Sequence, residues 1–501
     1  MLHAQDINIS SAQYFDSEPS LAVNPTNQQN VVAAWMGLTG IKVSAKTKAS
    51  FDGGLTWSAV SSLPHYSITS TSADVSLAFN SSGKCFYSFI DFHKPDSGAV
   101  FVSASSNGGL NWSAPVKAID GMAAPQLPLD RPWIAVDNSG GTYDGRIYVT
   151  AMTANWFPTN RHVFITFSDD DGLSWSTLKQ VDTAGFLCTN VKSMLIPTVT
   201  ADGKLNCAYI SYDVSGSLIP RMIDAISVDG GDNFSFHSVL QYTSTSVIDT
   251  DYQFSYCMVA HPTDANKLWM GFTNWSNGDP DIYVYYSSNG GINWNSGVKV
   301  NDDGVMNGIG QDMLWMNVSP TGIVGAAWRD RRNYGQGATT SFDIYGAVSV
   351  DGVNWSANKM VSDNYSPFSS LTEGNDFLGI CLNDNFLMSD WGDYRGNHWE
   401  IYYNRVPLSE MLGVNQLGDL QNDFYLKQNP SNDFLELVSN GNFSSLDISV
   451  FNLVGEKIYS GIFSGEKNSS IKIPVKNISN GVYLVKIKSA EGNSTLRWVK
   501  M

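Results

Sequence analysis

The residues of this chain best suited to ligand chemistry are arginines and aromatic residues in polar segments that follow apolar ones. The densest group is Arg329-Asp330-Arg331-Arg332, which brings three guanidinium groups together in a chain whose net charge is −17. Guanidinium groups donate paired hydrogen bonds to oxygen atoms, and aromatic faces stack on the C–H faces of sugars. The candidate binding residues are Arg131, Arg329, Arg331, Arg395, Trp156, Trp275 and Trp391. These residue types predict a sugar site, although residues such as Asp330 are equally suited to bracing adjacent elements.

The elements that must position these side chains are marked by a short pattern that occurs six times. Each copy runs Ser-x-Asp/Asn, then Gly, then Trp or Phe, at residues 50–57, 105–112, 168–175, 227–234, 287–294 and 349–355. Asp or Asn bonds the backbone two residues on, and Gly supplies a positive φ. The predicted turn residues are Asp52, Asn107, Asp170, Asp229, Asn289 and Asp351. Recurrence about every sixty residues predicts a repeat architecture built of hairpins.

Between these turns lies a second repeat, which is an apolar strand, a turn and another apolar strand. It occurs seven times, first at residues 19–23 and 31–35 and last at residues 378–382 and 386–390. Each strand pair would begin one four-stranded blade, and each turn would lead to the outer strand of a blade. Seven pairs and six turns are consistent if residues 6–10 supply the outer strand of the last blade. A ring closed by both termini exposes no sheet edge. The sequence therefore predicts an all-β propeller over residues 6–406 with seven blades, six blades being the alternative.

In such a propeller the loops between second and third strands share one face with the connections between blades. Ligand sites gather in such loops. Acidic residues that precede the inner strands are expected near the central mouth of this face; they are Glu18, Asp74, Asp130, Asp251, Asp312 and Asp376.

The repeated turn resembles the Asp-box, and the chain resembles the Asp-box propellers, of which sialidases are the best-known members. The resemblance covers roughly residues 6 to 405 and departs from sialidases in its seventh blade. It implies three arginines around a substrate carboxylate, an Asp acid/base and a Tyr nucleophile activated by a Glu. On this resemblance Arg131, Arg331 and Arg395 bind the substrate. The corresponding catalytic residues are Asp74, Tyr334 or Tyr394, and Glu373.

One part of the sialidase pattern is missing. No Arg-Ile-Pro motif stands before the first turn, and no arginine precedes Arg131. Two classes of function therefore stay open: a glycoside hydrolase of exo-sialidase type, and a non-catalytic propeller that captures a glycan or a protein. Whether the glycan is acidic also stays open.

The last part of the chain has a different pattern. After a polar linker at residues 407–423, alternating apolar positions separated by Gly and Asn turns predict a small β-sandwich over residues 424–501. Its Asn429-Pro430, Gly481-Val482-Tyr483 and basic C-terminal segments resemble the C-terminal sorting domain of the type IX secretion route. That resemblance implies a secreted or surface-attached protein that contacts the secretion machinery. Residues 1–5 are interpreted as the remnant of a signal peptide.

The composition of the chain limits the classes of ligand and partner that it is expected to bind. The net charge of −17 argues against nucleic acid as a ligand. No apolar run reaches the length of a membrane span. The cysteines have no metal-ligand spacing, and we assign no cofactor and no metal ligands. Whether a metal ion binds in a turn such as residues 169–171 stays open.

Overall fold

A computed structural model describes most of the chain as two compact units, residues 1–412 and residues 413–501. The described residues are 5–11, 14–94, 97–123, 126–154, 161–188, 194–242, 255–275, 277–368, 375–412, 418–419, 424–431, 433–439, 443–452, 456–465, 470–488 and 492–500. Most of the predicted signal remnant, residues 1–4, lies outside them.

The first unit is a β-propeller. Its described residues form seven four-stranded antiparallel sheets, and the inner strands of neighbouring sheets contact each other around a closed ring. The prediction of seven blades is confirmed. Each of the six repeated turns lies between the third and fourth strands of a blade.

The blades are numbered in chain order, and the strands of each blade are consecutive except in blade seven. The outer strand of blade seven is β1 (Ile7–Asn8). Blades one to three contain β2 (Asp16–Asn24), β3 (Asn27–Thr39), β4 (Lys42–Ser50), β5 (Ser61–Ser62), β6 (Thr71–Phe79), β7 (Cys85–Lys94), β8 (Ser97–Ser105), β9 (Val116–Asp120), β10 (Leu129–Val136), β11 (Ile147–Thr153), β12 (Val163–Ser168) and β13 (Lys179–Gln180).

Blades four to seven continue the same order from the inner strand outward. They contain β14 (Ile196–Val199), β15 (Leu205–Ser211), β16 (Arg221–Ser227), β17 (Ser235–Gln241), β18 (Tyr256–Ala260), β19 (Leu268–Asn274), β20 (Asp281–Ser287), β21 (Val298–Lys299), β22 (Gln311–Val318), β23 (Val324–Asp330), β24 (Asp343–Ser349), β25 (Lys359–Met360), β26 (Leu378–Leu382), β27 (Phe386–Asp393) and β28 (Glu400–Pro407).

The ring is closed by the two ends of this unit. β1 pairs antiparallel with β28, with Ile7 opposite Tyr403 and Asn8 opposite Tyr402. This pairing confirms the predicted place of the N-terminal strand. A short helix, α1 (Leu408–Met411), follows β28, and its Leu408 and Met411 are buried in the propeller core. The propeller unit therefore extends beyond the predicted boundary at residue 406.

Asp6 fastens the N-terminal strand. Its carboxylate accepts hydrogen bonds from the Asn404 amide at 2.8 Å and from Arg395 Nη1 at 2.9 Å. Its backbone N–H donates to the Asp363 carboxylate at 3.0 Å. Burial and the neighbouring Asp363 carboxyl raise the pKa of Asp6 to about 7.

The repeated turns are held by one set of side-chain hydrogen bonds. In the first turn, the Ser50 hydroxyl donates to Asp52 Oδ1 at 2.8 Å and accepts from the Gly54 N–H at 2.8 Å. The Asp52 carboxylate accepts from the Thr56 N–H at 2.9 Å and from its hydroxyl at 2.6 Å. In the other turns, the same serine-to-Asx bond joins Ser105 to Asn107, Ser168 to Asp170, Ser227 to Asp229, Ser287 to Asn289 and Ser349 to Asp351.

The first turn also packs on blade seven. Gly54 has a φ of +86°, and a Cβ placed there would lie 2.2 Å from the Tyr403 ring. The Tyr403 hydroxyl donates to the Gly53 carbonyl at 2.9 Å. Only glycine satisfies both the positive φ and this close approach.

The second unit contains two sheets around a separate apolar core, which includes Leu437, Ile448, Val485 and Trp498. Its strands are β29 (Gly418–Asp419), β30 (Phe424–Leu426), β31 (Phe434–Ser439), β32 (Phe443–Asn452), β33 (Lys457–Gly465), β34 (Ser470–Pro474), β35 (Gly481–Lys488) and β36 (Gly492–Lys500). Burial alternates along β34 and β35, as the sequence pattern predicts for a sandwich.

Replacing the first turn carboxylate should weaken the fold by a small, defined amount. We expect Asp52→Ala to lower the free energy of unfolding by about 1 kcal/mol, because the turn loses its side-chain acceptor. Asp52→Asn is the matched control, since Asn107 and Asn289 accept the equivalent backbone bonds. Urea denaturation of both variants measures the difference. Equal stability of the two variants would contradict this account of the turn.

Candidate functional site

Four inner strands approach the central mouth through a β-bulge. β2, β6, β10 and β22 each have a register shift near the start of the strand. Each bulge holds one non-glycine residue with positive φ: Glu18 (54°), Asp74 (43°), Arg131 (51°) and Met313 (54°). Such conformations cost about 1 kcal/mol or more each and are typical of functional sites. The repeated strain therefore marks this rim of the ring as the candidate site.

Three carboxyl groups from three consecutive blades meet at this rim. The side chains of Glu18 and Asp130 both lie within hydrogen-bonding reach of the Asp74 carboxyl group. Asp74 Oδ2 also accepts the Arg131 backbone N–H at 2.9 Å. Glu18 and Asp74 are buried, whereas Asp130 is partly exposed. We refer to Glu18, Asp74 and Asp130 as the carboxyl cluster.

The pKa values of the carboxyl cluster are shifted in opposite directions. Burial, together with the charge of Asp74, raises the pKa of Glu18 and of Asp130 well above the usual range. Burial also disfavours the ionised form of Asp74, but hydrogen bonds from Glu18 and Asp130 outweigh it and lower the pKa of Asp74. Pairs of carboxyl groups whose pKa values are pushed apart are the usual basis of acid/base catalysis.

Arg131 connects the carboxyl cluster to blade seven. Its Nη2 atom lies 2.7 Å from Asp376 Oδ2, and its guanidinium group lies 5.5 Å from the centre of the Phe377 ring. The Asp376 side chain is partly exposed. Asp130 Oδ1 accepts the Arg131 backbone N–H at 3.1 Å, so Arg131 contacts both Asp130 and Asp376.

Aromatic rings fill the ring centre next to this site. Trp133 of blade three and Trp315 of blade six have centroids 4.6 Å apart, although their blades are not neighbours. Phe377 of blade seven lies 5.2 Å from Trp133. Because these rings meet across the axis, they close the central channel among the inner strands and give the site an apolar wall.

The structure places the predicted binding arginines Arg329 and Arg331 on one buried carboxylate. Arg329 forms a bidentate pair with Asp312 at 2.8 and 2.6 Å, and Arg331 a second at 3.0 and 3.2 Å. These two guanidinium groups outweigh burial and hold the pKa of Asp312 well below its usual range. Both arginines are thus engaged with the protein itself.

Arg332 and Arg395 are also ion-paired. Arg332 Nη1 lies 2.6 Å from Asp302, and its Nη2 lies 2.8 Å from Asp330. Arg395 pairs with Asp6 at 2.9 Å and with Asp393 at 2.6 Å. The predicted trio of Arg131, Arg331 and Arg395 is therefore distributed over three different sets of carboxylates.

The predicted nucleophiles are placed as follows. The Tyr334 hydroxyl donates to Asp343 Oδ1 at 2.9 Å. Burial and this carboxylate raise the pKa of Tyr334, which is the opposite of the activation that a tyrosine nucleophile needs. The Tyr394 ring packs edge-on against Trp399 at 5.3 Å. The proposed base, Glu373, lies outside the described residues.

The predicted stacking tryptophans also differ in their placement. Trp156 lies outside the described residues, and Trp275 is partly buried against the propeller core. Trp391 is 2% exposed, and its indole N–H donates to Asp393 at 2.9 Å. The expectation that Trp391 stacks on a sugar is therefore corrected, because its ring is enclosed in blade seven.

Sequence reasoning placed Glu18 and Asp130 near the mouth but did not assign them to the site. The available signal was positional, since an acidic residue precedes the inner strand in several blades. Among the described residues, no group of three or more His, Cys, Asp or Glu side chains has the arrangement of a metal site. The described helix is too short to cross a membrane.

Residues 429–501 match the secretion system C-terminal sorting domain family. The protein is therefore secreted or attached at the outer-membrane surface. A search of curated protein sequences finds no match for the chain.

Three solved structures similar to this chain are an arabinofuranosidase, an arabinanase and a sialidase. The α-L-arabinofuranosidase Arb93A of Fusarium graminearum has 13% identity and a TM-score of 0.47, covering 68% of this chain and 94% of that chain. An α-L-arabinanase of Penicillium chrysogenum has 12% identity and a TM-score of 0.46, covering 82% and 100%. The NanB sialidase of Streptococcus pneumoniae has 13% identity and a TM-score of 0.41, covering 82% and 71%.

The raised pKa of Glu18 predicts that the difference in thermal stability between the protein and its Glu18→Gln variant depends on pH. Since the folded-state pKa of Glu18 is raised above 4.5, native Glu18 stabilises the fold at low pH and loses that contribution as pH rises. Gln resembles the protonated acid at every pH. We therefore expect the melting temperature of the variant, relative to the parent, to increase between about pH 5 and pH 8.

Thermal melts across this range test the sign of the effect. A constant difference at all pH values, or a relative loss of stability at high pH, would contradict a protonated Glu18.

The sorting domain predicts a change of location on truncation. Deleting residues 413–501 should leave the propeller folded, because the two units have separate cores. We expect the truncated protein to remain in the periplasm. Fractionation of cells followed by immunoblotting measures this, with the full chain as control. Normal appearance of the truncated protein outside the cell would contradict the sorting role.

Proposed function

We propose that the propeller is a glycoside hydrolase that acts on extracellular glycans at its central mouth. The observation that carries this proposal is the carboxyl cluster, in which acids of raised pKa contact a carboxylate of lowered pKa. Glycoside hydrolysis in most families uses one protonated carboxyl group and one carboxylate flanking the scissile bond.

In this proposal Asp130 is the general acid. Asp130 is partly exposed, and burial together with the Asp74 charge raises its pKa, which favours the protonated form. Glu18 and Asp74 lie behind it, and the Asp74 charge disfavours loss of the Asp130 proton until the leaving oxygen takes it.

Asp376 supplies the carboxylate on the other side of Arg131. Retaining enzymes keep their two carboxyl groups about 5–5.5 Å apart and inverting enzymes about 6.5–9.5 Å apart. Arg131 contacts both carboxyl groups, Asp130 through its backbone N–H and Asp376 through its guanidinium group.

The charges favour a neutral glycan over a sialoside. The mouth holds four carboxyl groups, those of Glu18, Asp74, Asp130 and Asp376, against the single guanidinium group of Arg131. A substrate carboxylate would have to compete with Asp376 for Arg131. A sialidase of the predicted type needs uncommitted guanidinium groups, whereas Arg331 and Arg395 are held by Asp312 and Asp6.

Turnover of a panel of glycosides tests the proposal. We expect release of sugar from neutral glycosides, and a loss of roughly 100-fold or more in kcat for Asp130→Asn and for Asp376→Asn. Asp302→Asn is the matched control, since Asp302 pairs with Arg332 at 2.6 Å much as Asp376 pairs with Arg131 at 2.7 Å. The control should retain full activity.

Two outcomes would contradict the proposal. Turnover of sialosides alone, with sensitivity to Arg331→Lys, would favour the sialidase assignment. Binding of glycans without turnover, measured by calorimetry, would favour the capture module.

A further inference from the structure

A second arrangement of reactive side chains lies between blades one and two, outside the carboxyl cluster. Ser44 lies near the start of β4, His65 in the segment between β5 and β6, and Asp91 near the end of β7. The Ser44 hydroxyl oxygen lies 3.1 Å from His65 Nε2, and His65 Nδ1 lies 3.0 Å from Asp91 Oδ1. These contacts form a continuous Ser-His-Asp relay.

The partners of the imidazole determine its tautomer. An ionised carboxylate only accepts hydrogen bonds, so Asp91 requires the proton on His65 Nδ1. His65 Nε2 then carries the lone pair and accepts the hydrogen of the Ser44 hydroxyl. This is the tautomer in which a histidine acts as general base toward a serine.

Asp91 is itself fixed in place. It is fully buried, and its Oδ2 accepts the Tyr66 backbone N–H at 2.6 Å. The Ser72 hydroxyl donates to Asp91 Oδ1 at 3.1 Å. An orienting carboxylate with these supports holds the imidazole in one position.

Bracing of the loop between blades does not require the serine. In blade four, Asp213 holds the corresponding segment by accepting the backbone N–H groups of Gly185 and Leu187. In blade three, Asp182 accepts the Cys188 backbone N–H and lies 3.0 Å from His162 Nδ1. What blades one and two have in addition is the Ser44 hydroxyl against the second imidazole nitrogen, His65 Nε2.

The surroundings indicate the type of substrate. Ser44 is 4% exposed, so a substrate that reaches its hydroxyl has to be slim. Ile41, in the turn before β4, and Ile68, in the segment that carries His65, are 95% and 90% exposed. Lys42 lies on the same side of β4 as Ser44, because side chains alternate along a strand. A cation near the nucleophile suits the negative charge of an acyl-transfer intermediate.

We propose that Ser44, His65 and Asp91 form an esterase site that removes small acyl groups, such as acetyl, from ester substrates. Ser44 Oγ attacks the ester carbonyl carbon while its proton passes to His65 Nε2. The C–O bond to the alcohol breaks, and the alcohol leaves with that proton. Water then attacks the acyl-serine ester with His65 as base, which releases the carboxylic acid and restores Ser44.

Labelling and turnover test the site directly in the full-length protein. We expect a fluorophosphonate probe to add once, with peptide mapping locating the adduct on Ser44. We also expect p-nitrophenyl acetate turnover to fall by roughly 100-fold or more in Ser44→Ala. The Asp302→Asn variant should retain both properties, because Asp302 pairs with Arg332 and contacts neither Ser44 nor His65.

Ser72→Ala is the matched control. Ser72 is buried and contacts the same imidazole and carboxylate at 3.1 Å, but it does not face His65 Nε2. If Ser44, His65 and Asp91 form the esterase site, Ser72→Ala keeps the label and Ser44→Ala loses it. The melting temperatures of the two variants should be similar. Labelling elsewhere, no labelling of the folded protein, or equal turnover in both variants would overturn the proposal.

Discussion

Everything at the central mouth depends on closure of the ring by β1 against β28. This pairing, reinforced by Asp6, joins blade seven to the N-terminal strand, and the first repeated turn packs on the Tyr403 ring of the same blade. Closure brings blade seven close enough for Asp376 to reach Arg131 of blade three. The aromatic rings that meet across the axis need the same closure. A propeller unsealed at blade seven would lose the second carboxylate of the site.

Burial then determines the chemistry of the residues that the ring collects. Three carboxyl groups that share a buried rim cannot all ionise, because like charges in a poorly solvated place repel strongly. Burial and this repulsion raise the pKa of Glu18 and of Asp130, whereas hydrogen bonds from these two groups lower the pKa of Asp74. The strained backbone at Glu18, Asp74 and Arg131 is the structural cost of presenting these groups.

The architecture was predictable because short-range sequence patterns determine the strands and turns. Gly and Asx turns recur with the strands, and the mismatch between seven strand pairs and six turns predicts closure by the N-terminal strand. Ion-pair partners were not predictable in the same way. Nothing near Arg331 in the sequence selects Asp312, which lies on the neighbouring strand β22. Likewise the enclosure of Trp391 follows from packing within blade seven, and the bulges that turn Glu18 and Asp74 toward left-handed φ have no simple sequence signal.

The measurement that tests the central claim most directly is a crystal structure of the protein with a bound neutral glycoside or sugar-like inhibitor. We predict a sugar ring at the central mouth, with the Asp130 carboxyl group within hydrogen-bonding distance of the glycosidic oxygen and the Asp376 carboxylate facing the anomeric carbon. A sugar bound instead against Arg331 or Arg395, with Asp130 and Asp376 not contacting it, would contradict the account.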